Sequence, residues 1–145
     1  MATSRETARD ALVTLLSTAL VGTGLPAKTV TGSKIATLQG ATPIVAVLSA
    51  GSERSRPPFQ GAKATFHLEV LVFVRQSQTG WTNAQAEDAL DAIEVLIANT
   101  YEVNTATANW EMVDYDGQST VFEIEVEGTK YYMERIPTVV RLARS

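Results

Sequence analysis

The 145 residues contain no cysteine, so neither a disulfide nor a thiolate metal site can form, which fits a reducing compartment. Histidine occurs once, at His67, with Glu69 two residues on. A metal site needs more ligands than that pair supplies, and a catalytic base needs a nucleophile or substrate within its reach. No apolar run approaches the ~20 residues that span a bilayer, so no membrane partner is expected. The opening MATSRETARDALV carries acids near its start and no long apolar core, and is not expected to serve as a secretory signal. Lysine and arginine are missing altogether from residues 82–127.

That last gap organises the charge. The formal net charge of −4 divides into +4 over residues 1–81, −11 over 82–127 and +3 over 128–145. An acidic block between basic ends argues against a general nucleic-acid binder. It suits head-to-tail association, in which one face of a copy meets a different face of the next. With 45% hydrophobic and 19% charged residues the chain has an ordinary globular composition, and its length suits one domain, residues 1–145.

In chain order, Thr3 and Glu6 form a capping box for a helix over Ser4–Leu20. Its apolar stripe is Ala8, Leu12, Leu15, Leu16 and Ala19, and Gly22 and Gly24 end it. Residues 25–34 are turn-rich, and Ile35–Leu38 is a short extended candidate. Pro43–Ser49 reads as a buried strand, and Ala50–Lys63 as a long loop holding Arg54, Arg56, Pro57, Pro58 and Phe59. Ala64–Arg75 is the longest apolar strand. Phe66, Leu68, Val70, Val72 and Val74 share one face and Leu71 and Phe73 the other, which places it centrally. Thr82 and Gln85 cap a second helix from Asn83 to about Asn99, with Ala86, Ala89, Leu90, Ile93, Leu96 and Ile97 inward and Glu87, Asp88, Asp91 and Glu94 outward.

A strand near Asn109–Tyr115 leads through an Asp116-Gly117 turn into TVFEIEVEGTKYYMERIPTVVRL, residues 120–142. The alternation there reads as a long hairpin. With Gly128 first in a Gly128-Thr129 type II′ loop, Val126 faces Tyr131, Ile124 faces Met133 and Phe122 faces Arg135. The other, wet face carries Glu123, Glu125, Glu127, Lys130, Tyr132 and Glu134. Pro137 lacks an N–H, so its strand lies at an edge or bulges there. The expected fold is α+β in the order α-β-β-α-β-β-β. It is a single two-layer domain whose twisted, mainly antiparallel sheet carries both helices on one face, with a long C-terminal hairpin and the last three strands in meander.

Candidate chemistry is thin. Gly22–Thr29, GTGLPAKT, falls one residue short of a P-loop: Ala27 stands at the second glycine, a helix precedes it and TVTGSKIATL is no helix. Glu87, Asp91 and Glu94 share one helix face, but exposed carboxylates without an apolar wall have no cause for shifted pKa values. Asp114-Tyr115-Asp116-Gly117 starts like a calcium loop and lacks the remainder, which makes it a turn. No catalytic residue, cofactor site or metal site is expected, and the chain is not expected to be an enzyme.

Three segments together carry a resemblance: the alanine-rich N-terminal helix, the FHLEVLVFV strand of Phe66–Val74 leading through Gly80-Trp81 into AEDALD (Ala86–Asp91), and the EVEGTKYYMERIP stretch of Glu125–Pro137. In this combination and order the chain resembles the tail terminator proteins of long-tailed bacteriophages. The resemblance implies a small virion protein that assembles as a ring, typically of six copies, on the last ring of the tail tube. There it stops tube growth and offers a joint to the head connector or neck protein. It implies assembly in the host cytoplasm and residence at the head-proximal end of the tail, with genomic DNA passing through unbound. Other head–tail joining proteins and tube subunits are the neighbouring readings; a small ligand-binding α+β module on the His67/Glu69 face is the reading from another class.

Residue roles follow from the sequence itself. Glu123, Glu125, Glu127 and Glu134 are expected to line the bore, where they would repel the phosphate backbone rather than hold it. Glu87, Asp88, Asp91 and Glu94 are expected to form an inter-subunit acidic face, or themselves to line the bore. Arg54, Arg56, Pro57, Pro58 and Phe59 are expected to order against the tube or connector.

Overall fold

The computed structural model describes residues 5–32, 43–55, 63–75, 83–107, 110–126 and 128–141. Two helices, α1 (Arg5–Leu20) and α2 (Asn83–Val103), accompany six strands: β1 (Thr29–Thr31), β2 (Ile44–Ser55), β3 (Lys63–Arg75), β4 (Met112–Tyr115), β5 (Thr120–Val126) and β6 (Thr129–Arg141). The strands form one mixed sheet in the order β1-β2-β3-β6-β4, with β5 also paired to β6. Only β1 and β2 run parallel. The fold is α+β.

The main core follows directly from side-chain spacing. Ala8, Leu12, Leu16 and Leu20 on α1, and Ala86, Leu90, Ile93, Ile97 and Tyr101 on α2, recur every three or four residues and are buried. They share one core cluster with Val45 and Val47 of β2, the even residues Phe66 to Val74 of β3, and Ile136 and Val140 of β6. Each such aliphatic or aromatic side chain contributes roughly 1.5–3 kcal/mol on burial. Leu71 and Phe73 lie on the other face, as expected, where they pack with Ala46, Ile44, Ile124, Tyr131 and Met133. A strand apolar on both faces belongs inside a sheet, and β3 sits between β2 and β6.

Helix α2 runs beyond Asn99 because Tyr101 continues its buried stripe one turn on. The Tyr101 hydroxyl meets Thr138 Oγ1 at 2.7 Å beneath the sheet, and burial pushes its pKa up, so the phenol stays un-ionised. Tyr101→Phe should therefore lower stability by about 1 kcal/mol, read as a shift of the urea midpoint at unchanged slope.

Several expectations need correction. β2 continues through Ser55 and β3 starts at Lys63, so much of the supposed Ala50–Lys63 loop is strand. A register shift at Ala50 absorbs one residue, and the backbone of Arg54 pairs with that of Ala64. Arg56, Pro57, Pro58 and Phe59 lie outside the described residues, as do Thr3, Thr82, Ile35–Leu38 and Glu127. The short β1 falls within the supposed turn-rich stretch and pairs in parallel with Ile44–Ala46. Pairing of Val126 with Thr129 makes Gly128, at φ 80°, the second loop residue, and sets Ile124 rather than Val126 opposite Tyr131. Because that shift is two residues, every side chain keeps its face.

Nor do the last three strands form a meander. β4 and β5 both lie along β6, as two parts of one interrupted strand. From Tyr115↔Thr138 to Thr120↔Arg135 the interrupted strand advances five residues against three on β6, so the chain arches at residues 116–119. Gly117, at φ 106°, supplies a conformation that other residues rarely adopt. The arch starts opposite Pro137. The Asp116 N–H donates to the Pro137 carbonyl at 2.9 Å, but the reciprocal bond of that rung has no donor. Pro137 thus lies in an interior strand, and its neighbour carries the bulge.

Candidate functional site

The arch leaves space between α2 and the β4–β5 edge. A cavity of roughly 410 Å³ lies between Glu94, Val95 and Ala98 of α2, Tyr115 of β4, and Gly117 and Ser119 of the arch. A second, of roughly 310 Å³, lies between Glu87, Asp91 and Glu94 of α2 and Val121, Tyr132 and Glu134 of the sheet. Glu94 lines both, so the two adjoin along α2 as a groove in two parts. Its rim is apolar and open, with Val95 at 59% and Val121 at 52% exposure. Among the described residues no lysine, arginine or histidine lines it.

The floor of the groove overturns one expectation. Glu134 is not on a wet face: it is 1% exposed. Its place in the register explains why, since Val45, Val72, Glu134 and Val121 follow one another across four strands on the face that receives the helices. The hairpin's alternation holds near the loop, where Glu123, Glu125 and Lys130 are exposed. Four residues beyond Lys130, the same face passes under α2. Among the described residues neither carboxyl oxygen of Glu134 has a hydrogen-bond partner of good geometry, and its polar neighbours are the side chains of Glu94 and Ser119. Burial pushes its pKa up to about 8, Glu94 and the charge of Asp91 add to the rise, and Ser119 opposes it. Tyr115 above the groove is raised as well, by burial and then by the charges of Glu94, Asp114 and Glu134.

The other expected site residues fall as follows. Glu87, Asp88 and Asp91 are exposed on α2 and Glu94 is half-buried; Glu87, Asp91 and Glu94 share the groove with Glu134, while Asp88, Glu123 and Glu125 do not line it. Among the described residues no group of three or more acidic or histidine side chains is arranged to hold a metal ion. His67 and Glu69, on the opposite face of the sheet, are engaged: His67 Nδ1 lies 2.7 Å from Asp116 Oδ2, and Arg135 Nε donates to Glu69 Oε1 at 2.6 Å. The Gly22–Thr29 segment leads into strand β1 rather than a helix, with the Lys28 N–H bonded to the Pro43 carbonyl, so it cannot cradle phosphate as a P-loop does. Among the described residues no helix is long and apolar enough to cross a membrane.

The two edges of the sheet differ in charge: the β4–β5 edge is acidic, and the β1 edge carries Arg9 and Lys28 with Asp10 beside Arg9. The β4–β5 edge has Glu111, Asp114, Asp116, Glu123 and Glu125 exposed beside the α2 acids. At the β1 edge Lys28 is exposed and Arg9 of α1 lies against Gly32, just past the strand. Arg9 Nη2 makes a long 3.4 Å contact with Asp10, while its buried Nε has no partner among the described residues. An acid-walled groove with an apolar rim suits capture of a long basic side chain from another polypeptide. A scan of protein-family models finds no match for the chain, and neither does a search of curated proteins.

Proposed function

We propose that this chain is a virion assembly protein that forms a ring, of six copies by the resemblance, on the end of a phage tail tube. There it stops tube polymerisation and joins the tail to the head connector. The observation that carries the reading is the difference in charge between the two outer edges of one sheet. A molecule with unlike complementary edges associates head to tail, and with a fixed rotation per step such contacts close into a ring. In this reading the body is two-layered, both helices cover one face, and the C-terminal hairpin forms a long arm.

Glu123 and Glu125, exposed on β5, remain the proposed bore-lining acids, where negative charge keeps DNA sliding. Glu134 is withdrawn from that role by its burial. The tube protein and the connector are the proposed partners, and the head-proximal end of the tail is the proposed location. The test is assembly of tails with and without this chain, viewed by electron microscopy. Overlong tails that fail to join filled heads are expected in its absence. Tails of normal length that join heads would defeat the reading.

A further inference from the structure

Two buried groups, at opposite ends of the strand order, have no hydrogen-bond partner of good geometry among the described residues. They are the Glu134 carboxyl, one strand in from β5, and the Arg9 Nε near β1. Their signs are opposite. We infer that the groove between α2 and β5 is a socket for a basic side chain presented by the α1–β1 edge of a second copy, where Arg9 and Lys28 lie. The inference deepens the ring reading and rests on it.

Burial of a carboxyl without a donor is unfavourable, and natural structures keep such groups few. Glu134 has no route to a cation within its own groove, because among the described residues none lines it. A guanidinium or ammonium entering from outside would bring several N–H donors at once. Glu87, Asp91 and Glu94 along the wall attract it during approach, and Val95 and Val121 offer apolar surface for its methylene stem. A divalent cation is the poorer occupant, since the described carboxylates do not converge as a ligand set. The second copy is the occupant that charge favours: Arg9 and the exposed Lys28 stand at its α1–β1 edge, and the groove belongs to the −11 segment.

The test is a charge exchange read by sedimentation velocity over a range of concentrations, with circular dichroism as the check on folding. Glu94→Lys and Lys28→Glu should each weaken self-association at least about tenfold. Mixed in equal amounts the two variants should regain it, because each altered edge then meets its complement on the other chain. Glu134→Gln, which at nearly constant volume removes the carboxyl that a bound cation would hold ionised, should also weaken association. Asp91→Lys replaces Glu94→Lys if the latter disturbs the fold. A wild-type chain that associates while the single variants match it, or a mixture no stronger than the singles, overturns the socket and leaves the ring reading standing. A wild-type chain monomeric at every concentration overturns the socket too. Normal tails formed without the chain strike the ring reading alone, whatever the charge exchange shows.

Discussion

Replacing Glu134 with glutamine should remove much of the chain's loss of stability between about pH 4.5 and about pH 8, the ordinary and the folded-state pKa values of this carboxyl. The sign follows from proton counting. A carboxyl whose pKa is raised in the folded state holds its proton there while the unfolded chain has already released it. Across that window the folded state binds more protons, so stability falls as pH rises, and above the folded-state value the full penalty of a buried anion is present. For the wild type that penalty is on the order of a few kcal/mol. The groups that set it are Glu94 and Asp91 on α2 and Ser119 in the arch, with Tyr115 close by. Glutamine has no charge to bury, so the variant should gain on the wild type by that amount in the alkaline range and little below the window. Urea denaturation of both chains at either end of the window reads the difference. Curves that stay parallel would show that Glu134 ionises without penalty.

The second large effect is expected at Trp110, which is buried to 2% exposure in the main core. Its Nε1–H donates to the Asn104 carbonyl at 2.9 Å, just beyond the C-terminus of α2, and so satisfies an acceptor that the helix cannot. Trp110→Ala should cost about 3–5 kcal/mol for the lost packing and the cavity, with more for the orphaned carbonyl. Trp110→Phe keeps part of the ring packing and should cost clearly less. Denaturant midpoints decide between them, and an alanine variant as stable as the wild type would place the indole outside the core.

Trp110 also shows where reading the sequence stops short. A single aromatic in a polar stretch, TATANWEM, has no periodicity to mark it; only the fold brings it under α2. The stripes of α1 and α2 and the two-faced β3 were legible because repeated spacing states which side is apolar. β1 was not, since Thr29-Val30-Thr31 is three residues long and becomes strand only by pairing with β2. At Glu134 the alternation of the hairpin sorted the side chain to the correct face, then mistook the solvation of that face. Alternation records which residues share a side and says nothing of what a distant helix lays over it. The candidate site was legible as acids on α2 and acids on β5–β6. That some of them close on one groove depends on the arch at residues 116–119, which the Asp116-Gly117 pair marks as a turn without telling that both flanking strands lie along β6.

Pro137 has a consequence of its own. Because it cannot donate, the rung it shares with Asp116 stays half-made, and the β4–β5 chain cannot zip down flat onto β6. The proline acts as a permanent wedge. The mouth beside α2 is therefore already open before anything arrives, and whatever fills it need not pry two strands apart, so little of its grip is lost to rearrangement.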